Sequence, residues 1–571
     1  MKKNHLVKFF YFILISLIYA CGSQSFDVKK PVEWSDIESK YSSAELRGSN
    51  SEFRNWWNVI RYDLVIIPDF NQKSISGTVN MEFEITSFSQ DSILQIDLQQ
   101  PMRLTHLTQL VISTETQSNQ EKHDFIKSAW THKENVIFID LKQIPVKHEG
   151  IQTLKFYFEG NPKIAKNPPW DGGWIFTEDE KGRPWMSAAV QGLGASSWFP
   201  CKDFQADKPD LGATISIIVP QDLVAVSNGR LWETSFVKGE PGTNVYTWEV
   251  RNPINTYNII PYIGHYEQIV DSMLGENGKL SLEYWVLDYN KEKAKKHFQQ
   301  VKPMISAFED WMGPYPFYED GYKLVESPHL GMEHQSAIAY GNQYLNGYLG
   351  HDRTNSGYGN QFDFILIHES GHEWFGNSIT SKDIADLWIH EGFTTYSEAM
   401  YVENQFGKKA ADSYIQGLRP MIENKNNLIG VYGIHQTGSV DMYNKGANIL
   451  HTLRAWMNDD VKFKQMIRDM NKKYFHQTVT SKQIENFIAD YADLELTSFF
   501  DQYLRTSNIP VLEVKNENND LYYQWINVVE GFEMPLKLNE SEEWIYPTTT
   551  WQKYSGQSSL IPDLNFYVLN K

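Results

Sequence analysis

The apolar residues of this chain change their period twice, and the two changes restrict its architecture more than any single motif. In the first part of the chain they recur at every second position. Val79, Met81, Phe83 and Ile85 alternate with Asn80, Glu82 and Glu84; Leu154, Phe156 and Phe158 repeat the pattern, as do Ile215, Ile217 and Val219 before Pro220. Successive side chains of a strand point to opposite faces, so such segments read as half-buried strands. From about Asn290 the spacing becomes helical. It predicts a helix from Lys291 to Trp311 stopped by Gly313-Pro314, and a short strand from Ser336 to Tyr340. Helices are then expected from Gln361 to Trp374, Asp386 to Gln405 (closed by Gly407) and Tyr443 to Met457, with more to about Leu504. After Pro510, Val511 to Val514 and Tyr522 to Ile526 read as strands around the turn-rich 516–520. The expectation is a multidomain α+β protein. An N-terminal antiparallel β domain covers 53–255, a mainly helical domain 256–509, and a small C-terminal β module 510–571.

A chain of 571 residues exceeds one ordinary core, in agreement with several domains. Its first twenty residues are unlike the rest. Lys2, Lys3 and Lys8 precede an almost wholly apolar run from Phe9 to Ile18, short for a bilayer span and suited to a secretory signal. The run ends in Ile18-Tyr19-Ala20-Cys21, which is similar to a bacterial lipoprotein cleavage site, although Tyr19 is bulkier than usual there. Residues 1–20 are therefore expected to be a cleaved signal peptide, and Cys21 a lipidated anchor to a membrane of a bacterial cell envelope, on the periplasmic side or the surface. The polar 21–52 reads as a tether. The alternative is an ordinary cleaved signal with a bystander cysteine. Cys201 is the second of two cysteines, so no disulfide framework supports the fold. The formal charge of −19, without a long Lys/Arg block, argues against a nucleic-acid partner.

The chemistry concentrates in His368-Glu369-Ser370-Gly371-His372. Residues four apart on a helix share a face, so both imidazoles can reach one metal ion, while Glu369 can point at a water without ligating. Glu391 lies on the next expected helix, in an apolar stretch where a charged carboxylate needs a partner. Two imidazoles, one carboxylate and an open fourth position suit catalytic Zn2+, one per chain; a closed structural site would want cysteines. Glu398, two turns beyond Glu391, either orients a ligand histidine or faces solvent.

His368-Glu369-x-x-His372, eighteen residues and then Glu391 resemble the signature of the aminopeptidase N family of zinc peptidases. Further segments match in order. Gly331-Met332-Glu333-His334 is similar to that family's Gly-x-Met-Glu-Asn, and Tyr443-Asn444-Lys445-Gly446 to its Tyr-Glu-Lys-Gly. Trp198-Phe199-Pro200-Cys201-Lys202-Asp203 is similar to its Phe-Pro-Cys-x-Asp run, and Gln191 precedes Pro200 by nine residues as an amine-site glutamine does. The resemblance implies a thermolysin-like catalytic domain and peptide substrates with a free N-terminus. It implies that Glu333 and Gln191 bind the substrate α-amine, that Glu369 is the general base, and that Tyr443 stabilises the oxyanion. Many relatives continue into a large helical C-terminal domain, which this sequence, ending at Lys571, is expected to lack. The chain departs from the family pattern at Leu330, His334 and His390. The resemblance implies that the first two lie in a loop along the substrate, where they could alter which peptides fit or the pH optimum; His390 is either a polar group near the metal or exposed. A zinc endopeptidase and a non-enzymatic peptide-binding lipoprotein remain as alternatives.

Overall fold

The computed structural model describes residues 34–87, 92–109, 129–144, 150–237, 242–539, 541–557 and 559–571. The expected signal peptide and Cys21 lie outside them. The helix Trp34–Glu38 belongs to a unit ending at Ser42, and Ser43–Lys571 forms a second compact unit.

Alternation becomes a seven-stranded sheet in the order Arg230–Ser235, Thr243–Val250, Ala213–Pro220, Trp57–Asp69, Ser74–Ile85, Gln152–Gly160, Arg103–Gln109. Val79, Met81 and Phe83 are fully buried, while Asn80, Glu82 and Glu84 remain partly exposed. Neighbours are antiparallel except at the centre, where Trp57–Asp69 runs parallel to Ala213–Pro220, with Tyr62 opposite Ala213. A four-stranded sheet (Val224–Val226, Tyr262–Gly264, Pro184–Ala189, Gly173–Glu178) and a three-stranded one (Ile93–Asp97, Val136–Asp140, Trp130–Lys133) complete this domain. Because Tyr262–Gly264 pairs with Val224–Val226 and Met186, the β domain continues past residue 255.

The expected tether also differs in its last ten residues. Ser43–Gly48 is helical, Leu46 is buried, and Arg47 pairs with Asp203 at 2.5 Å. Arg54 is wholly enclosed. It pairs with Asp97 and donates to the carbonyls of Arg47 (3.1 Å) and Ser49 (3.2 Å). Polar composition concealed this docking because these charges are spent on buried carboxylates rather than on water.

The catalytic part is built on a mixed five-stranded sheet in the order Tyr266–Gly275, Gly278–Leu287, Tyr322–Glu326, Ile338–Tyr340, Gly331–Met332, so the last strand is an edge. Helices pack over it. The expected helix from Lys291 divides into Lys291–His297 and Val301–Met312, and Gly313 (φ 91°) ends the second. Phe364–Gly371 is capped by Asp363, whose Oδ1 accepts from Leu366 N at 3.1 Å. Trp388–Phe406 ends at Gly407. It meets Asn444–Met457 at a crossing of glycines, where a Cβ on Gly446 would lie 2.8 Å from Gly392 Cα. That close approach sets Tyr443 beside Glu391.

The C-terminal strands Val511–Glu517 and Asp520–Ile526 turn through Asn518 and Asn519, both at positive φ as a tight two-residue hairpin turn requires. Leu512, Trp525 and Phe532 pack into the same core as Phe500 and Leu504, so this module is continuous with the helices.

Removing Arg54 would leave Asp97 charged and enclosed. Arg54→Ala is expected to cost about 3–5 kcal/mol of unfolding free energy, measured by denaturant titration. A loss below about 1 kcal/mol, the range of an exposed pair, would show that the pair contributes little.

Candidate active site

His368 and His372 occupy adjacent turns at the end of the short helix Phe364–Gly371, and both are buried. Each ring is fixed by its outer nitrogen. His368 Nδ1 donates to Glu398 Oε1 at 2.7 Å, and Glu398 Oε2 accepts from the Tyr414 hydroxyl at 2.7 Å. His372 Nδ1 donates to the Phe375 carbonyl at 3.0 Å. In the neutral rings such partners select the tautomer that leaves Nε2 as a free lone pair, and both Nε2 atoms face Glu391. Glu398 is thus an orienting residue, not a solvated one.

Glu391 Oε2 lies 3.3 Å from His372 Nε2 and 3.7 Å from His368 Nε2. It is buried without a hydrogen-bonding partner among the described residues. Burial alone would raise the Glu391 carboxyl, but the charges of His372 and His368 hold it far below the usual range. Burial likewise opposes charge on the imidazoles, yet the surrounding carboxylates push His368 up to about 10 and His372 to about 9. The cluster therefore demands positive charge. Ligands about 2.0–2.1 Å from a tetrahedral zinc sit roughly 3.3 Å apart, so the three atoms fit the donor set and spacing of a zinc site.

Glu369 lies beside the group formed by His368, His372 and Glu391 without belonging to it. It lies against Gly331, where a Cβ would come within 2.7 Å of Glu369 Oε1 and 2.6 Å of Ile365 Cγ2. Burial pushes its carboxyl up to about 7, with the charges of His368 and His372 pulling the other way. Its oxygen, one from Glu333 and a nitrogen of His372 all fall within 4.8 Å of one another.

Glu333 comes from the loop that follows the edge strand and is 2% exposed. Oε1 accepts from Gln191 Nε2 and, at 3.2 Å, from the Tyr257 hydroxyl. Its backbone carbonyl accepts from Asn377 Nδ2 at 2.8 Å. Glu373, one residue beyond His372, braces this loop by accepting from Ser336 N (3.0 Å), the Tyr315 hydroxyl (2.7 Å) and Asn377 Nδ2 (3.1 Å). The β domain reaches the same turn through Lys208 Nζ on Asn377 O (2.5 Å) and Asn255 Nδ2 on Gly376 O (2.9 Å). Tyr443 stacks on His368, with ring centres 6.0 Å apart. Burial, then Glu391, Glu333 and Glu369, raise its hydroxyl well above 10, so it is a donor.

All seven expected site residues, His368, His372, Glu391, Glu369, Glu333, Gln191 and Tyr443, line one cleft of about 550 Å³ with largely apolar walls. Leu330 lines it as well, but His334 does not. His334 Nδ1 shares a hydrogen bond with the Tyr262 hydroxyl beneath the loop, and burial keeps the ring neutral. His390 is fully buried, its Nε2 accepting from Ser381 N at 2.8 Å. Tyr257, Asn377 and Tyr414 were not foreseen; each is an isolated residue with no motif around it.

Comparison with known proteins agrees with this geometry. The peptidase M1 N-terminal domain matches residues 58–258, and the peptidase family M1 domain matches 297–503. Glutamyl aminopeptidase of Sus scrofa is 25% identical over 504 residues, covering 83% of this chain and 50% of that protein. Aminopeptidase B of Homo sapiens is 25% identical over 292 residues, covering 50% and 40%. The chain thus spans about half the length of the curated relatives it matches. The crystal structure of an M1 zinc metallopeptidase from Deinococcus radiodurans superposes with a TM-score of 0.59 at 19% identity, over 77% of this chain and 91% of that one. The order of the domains, the two matched regions and the site at their junction lead to one assignment: the chain belongs to the M1 family of peptidases.

Proposed function

We propose that this protein is a zinc aminopeptidase that removes the N-terminal residue of peptides. One observation carries the reading: the Glu333 carboxylate, held by Gln191 and Tyr257, lines the cleft within reach of Glu369 and His372, beside the cluster of His368, His372 and Glu391. A fixed carboxylate is a strong, directional partner for an α-ammonium group. An amine held there leaves room for one residue before the scissile carbonyl, which explains exopeptidase action and has no use in internal cleavage. Relatives named as aminopeptidases support the same activity.

His368, His372 and Glu391 would hold the zinc ion, which supplies Lewis acidity to the scissile carbonyl and lowers the pKa of water toward about 7. The protein's own groups do the rest. Glu369 takes the proton of the attacking water and returns it to the leaving amine. Tyr443, protonated and beside Glu391, donates to the oxygen that becomes anionic. The edge strand Gly331–Met332 offers its open backbone to align the substrate in extended form.

We also propose that the protein is exported and anchored to a bacterial cell envelope by lipid on Cys21. The support is the basic start, the apolar run and the Ala20-Cys21 junction. No helix among the described residues is long and apolar enough to cross a membrane. Cys21→Ser should move the protein from the detergent phase to the aqueous phase on phase partitioning; an unchanged distribution would remove the anchor.

N-acetylation of a short peptide should abolish its turnover, and Glu333→Ala should lower kcat/KM on the free peptide about 10–100-fold. Undiminished cleavage of the acetylated peptide would identify an endopeptidase instead. A second comparison separates base from ligand shell. Glu369→Gln should keep stoichiometric zinc while activity falls about 100- to 10,000-fold. Glu398→Ala should lower zinc affinity about 10–100-fold, read by competition with a chelator. Loss of zinc from Glu369→Gln would reassign Glu369 as a ligand.

A further inference from the structure

Among the described residues, Arg353 is the one lysine or arginine that lines the cleft. Its guanidinium carbon lies 5.0 Å from the Phe364 ring centre and 5.3 Å from that of Tyr348. Phe364 in turn stacks on the metal-site ring of His368, with centres 5.3 Å apart and planes 15° from parallel. The cation therefore stands one aromatic ring away from the cluster that would hold the zinc.

What distinguishes Arg353 is what it lacks. Among the described residues it has no ion pair with a carboxylate and no hydrogen-bond acceptor; it lies over two aromatic rings, and its charge also acts on the Tyr414 hydroxyl. The adjacent carboxylate is committed elsewhere. Asp352 accepts from Thr354 N (2.8 Å), Thr354 Oγ1 (2.7 Å) and Gly357 N (2.8 Å), which folds its own loop. A guanidinium that lies beside aromatic rings and has no acceptor of its own has N–H groups left for a ligand. Those groups match a carboxylate in two parallel hydrogen bonds, more strongly in a partly desolvated cleft than in water.

The direction of the cleft states which part of a substrate would meet it. Gly331 lies against Ile365 and Glu369, whereas Glu333 lies against Glu369 and His372. The edge strand and the histidine helix thus run in the same sense. An amine at Glu333 sits at the His372 end, and the peptide beyond the scissile bond passes Gly331 toward Phe364. At about 3.3–3.6 Å per extended residue, a charge one ring beyond His368 is met within the first few residues after that bond.

We infer that Arg353 is a specificity residue that binds a carboxylate carried by the leaving portion of the peptide. The inference rests on the aminopeptidase reading for the polarity of the cleft. The carboxylate has two sources, the C-terminus of a very short peptide or an acidic side chain just after the scissile bond. Either way, the enzyme favours peptides that carry a carboxylate just beyond the scissile bond over neutral ones.

Two matched pairs test this: Leu-Ala against Leu-Ala amide, and Leu-Glu amide against Leu-Gln amide. Within at least one pair, wild-type kcat/KM should favour the carboxylate about 10–100-fold. The pair showing it names the source. In Arg353→Met that ratio should fall to about one, and Arg353→Lys should restore only part of it, because an ammonium lacks the planar fork. Thermal melts of both variants check that they fold. Wild-type ratios near one in both pairs, or a ratio that survives Arg353→Met, overturn the inference. Calorimetric binding of the same peptides to zinc-loaded Glu369→Gln, with and without Arg353→Met, reads the ratio without turnover. A carboxylate preference in binding that depends on Arg353, in a protein that hydrolyses none of the four peptides, keeps the carboxylate site and rejects the aminopeptidase reading. Absence of that preference in binding rejects the site.

Discussion

A carboxylate oxygen buried without a donor is among the least tolerable groups in a folded protein, and Glu391 Oε2 is such an oxygen. The arrangement around it makes sense only with a cation there. With zinc bound, two imidazoles would turn lone pairs to it, because Glu398 and the Phe375 carbonyl occupy their other nitrogens. In turn, the Tyr414 hydroxyl occupies the free oxygen of Glu398. Each layer of the site is set by a requirement of the layer inside it.

The same economy fixes the groups around the cluster. Tyr443 is held by the crossing of two helices, where Gly392 and Gly446 let the backbones come close. The Gly446 that follows Tyr443 by three residues is therefore a steric requirement for the position of the tyrosine. Glu333 is fixed through its backbone as well as its side chain. Asn377 holds its carbonyl, and Glu373 holds both Asn377 and the loop after it. The turns that follow the histidine helix thus also position the Glu333 carboxylate.

Much of this was legible in the sequence, for physical reasons. Val79, Met81 and Phe83 announced a half-buried strand because one face of a sheet must be apolar, and Gly313 and Gly407 announced helix ends. His368, His372 and Glu391 were legible because a metal restricts residue type and spacing together. Other features depend on contacts far apart in the chain, which no local period records. The parallel pairing of Trp57–Asp69 with Ala213–Pro220 is one, and the docking of Ser43–Gly48 through Arg47 is another. Tyr257 and Tyr414 are two tyrosines among 31, singled out only by the carboxylates they meet. His334 was expected along the substrate, but the turn of its loop puts the ring under the chain, against Tyr262.

The partners of Glu333 come from two bodies. Gln191 and Tyr257 belong to the β domain, while Glu333 and the metal-site residues belong to the helical one. Lys208 and Asn255 join the two at the turn that also carries Asn377. The metal cluster could survive a small rotation between these bodies intact; the hydrogen bonds that hold Glu333 could not. In the proposed reading, hydrolysis is a property of one domain, but the ability to measure one residue from a chain end is a property of a seam. Loosening that seam would blunt discrimination before it reduced chemical competence, and the seam, rather than the metal, is where natural variation could retune which peptides are trimmed.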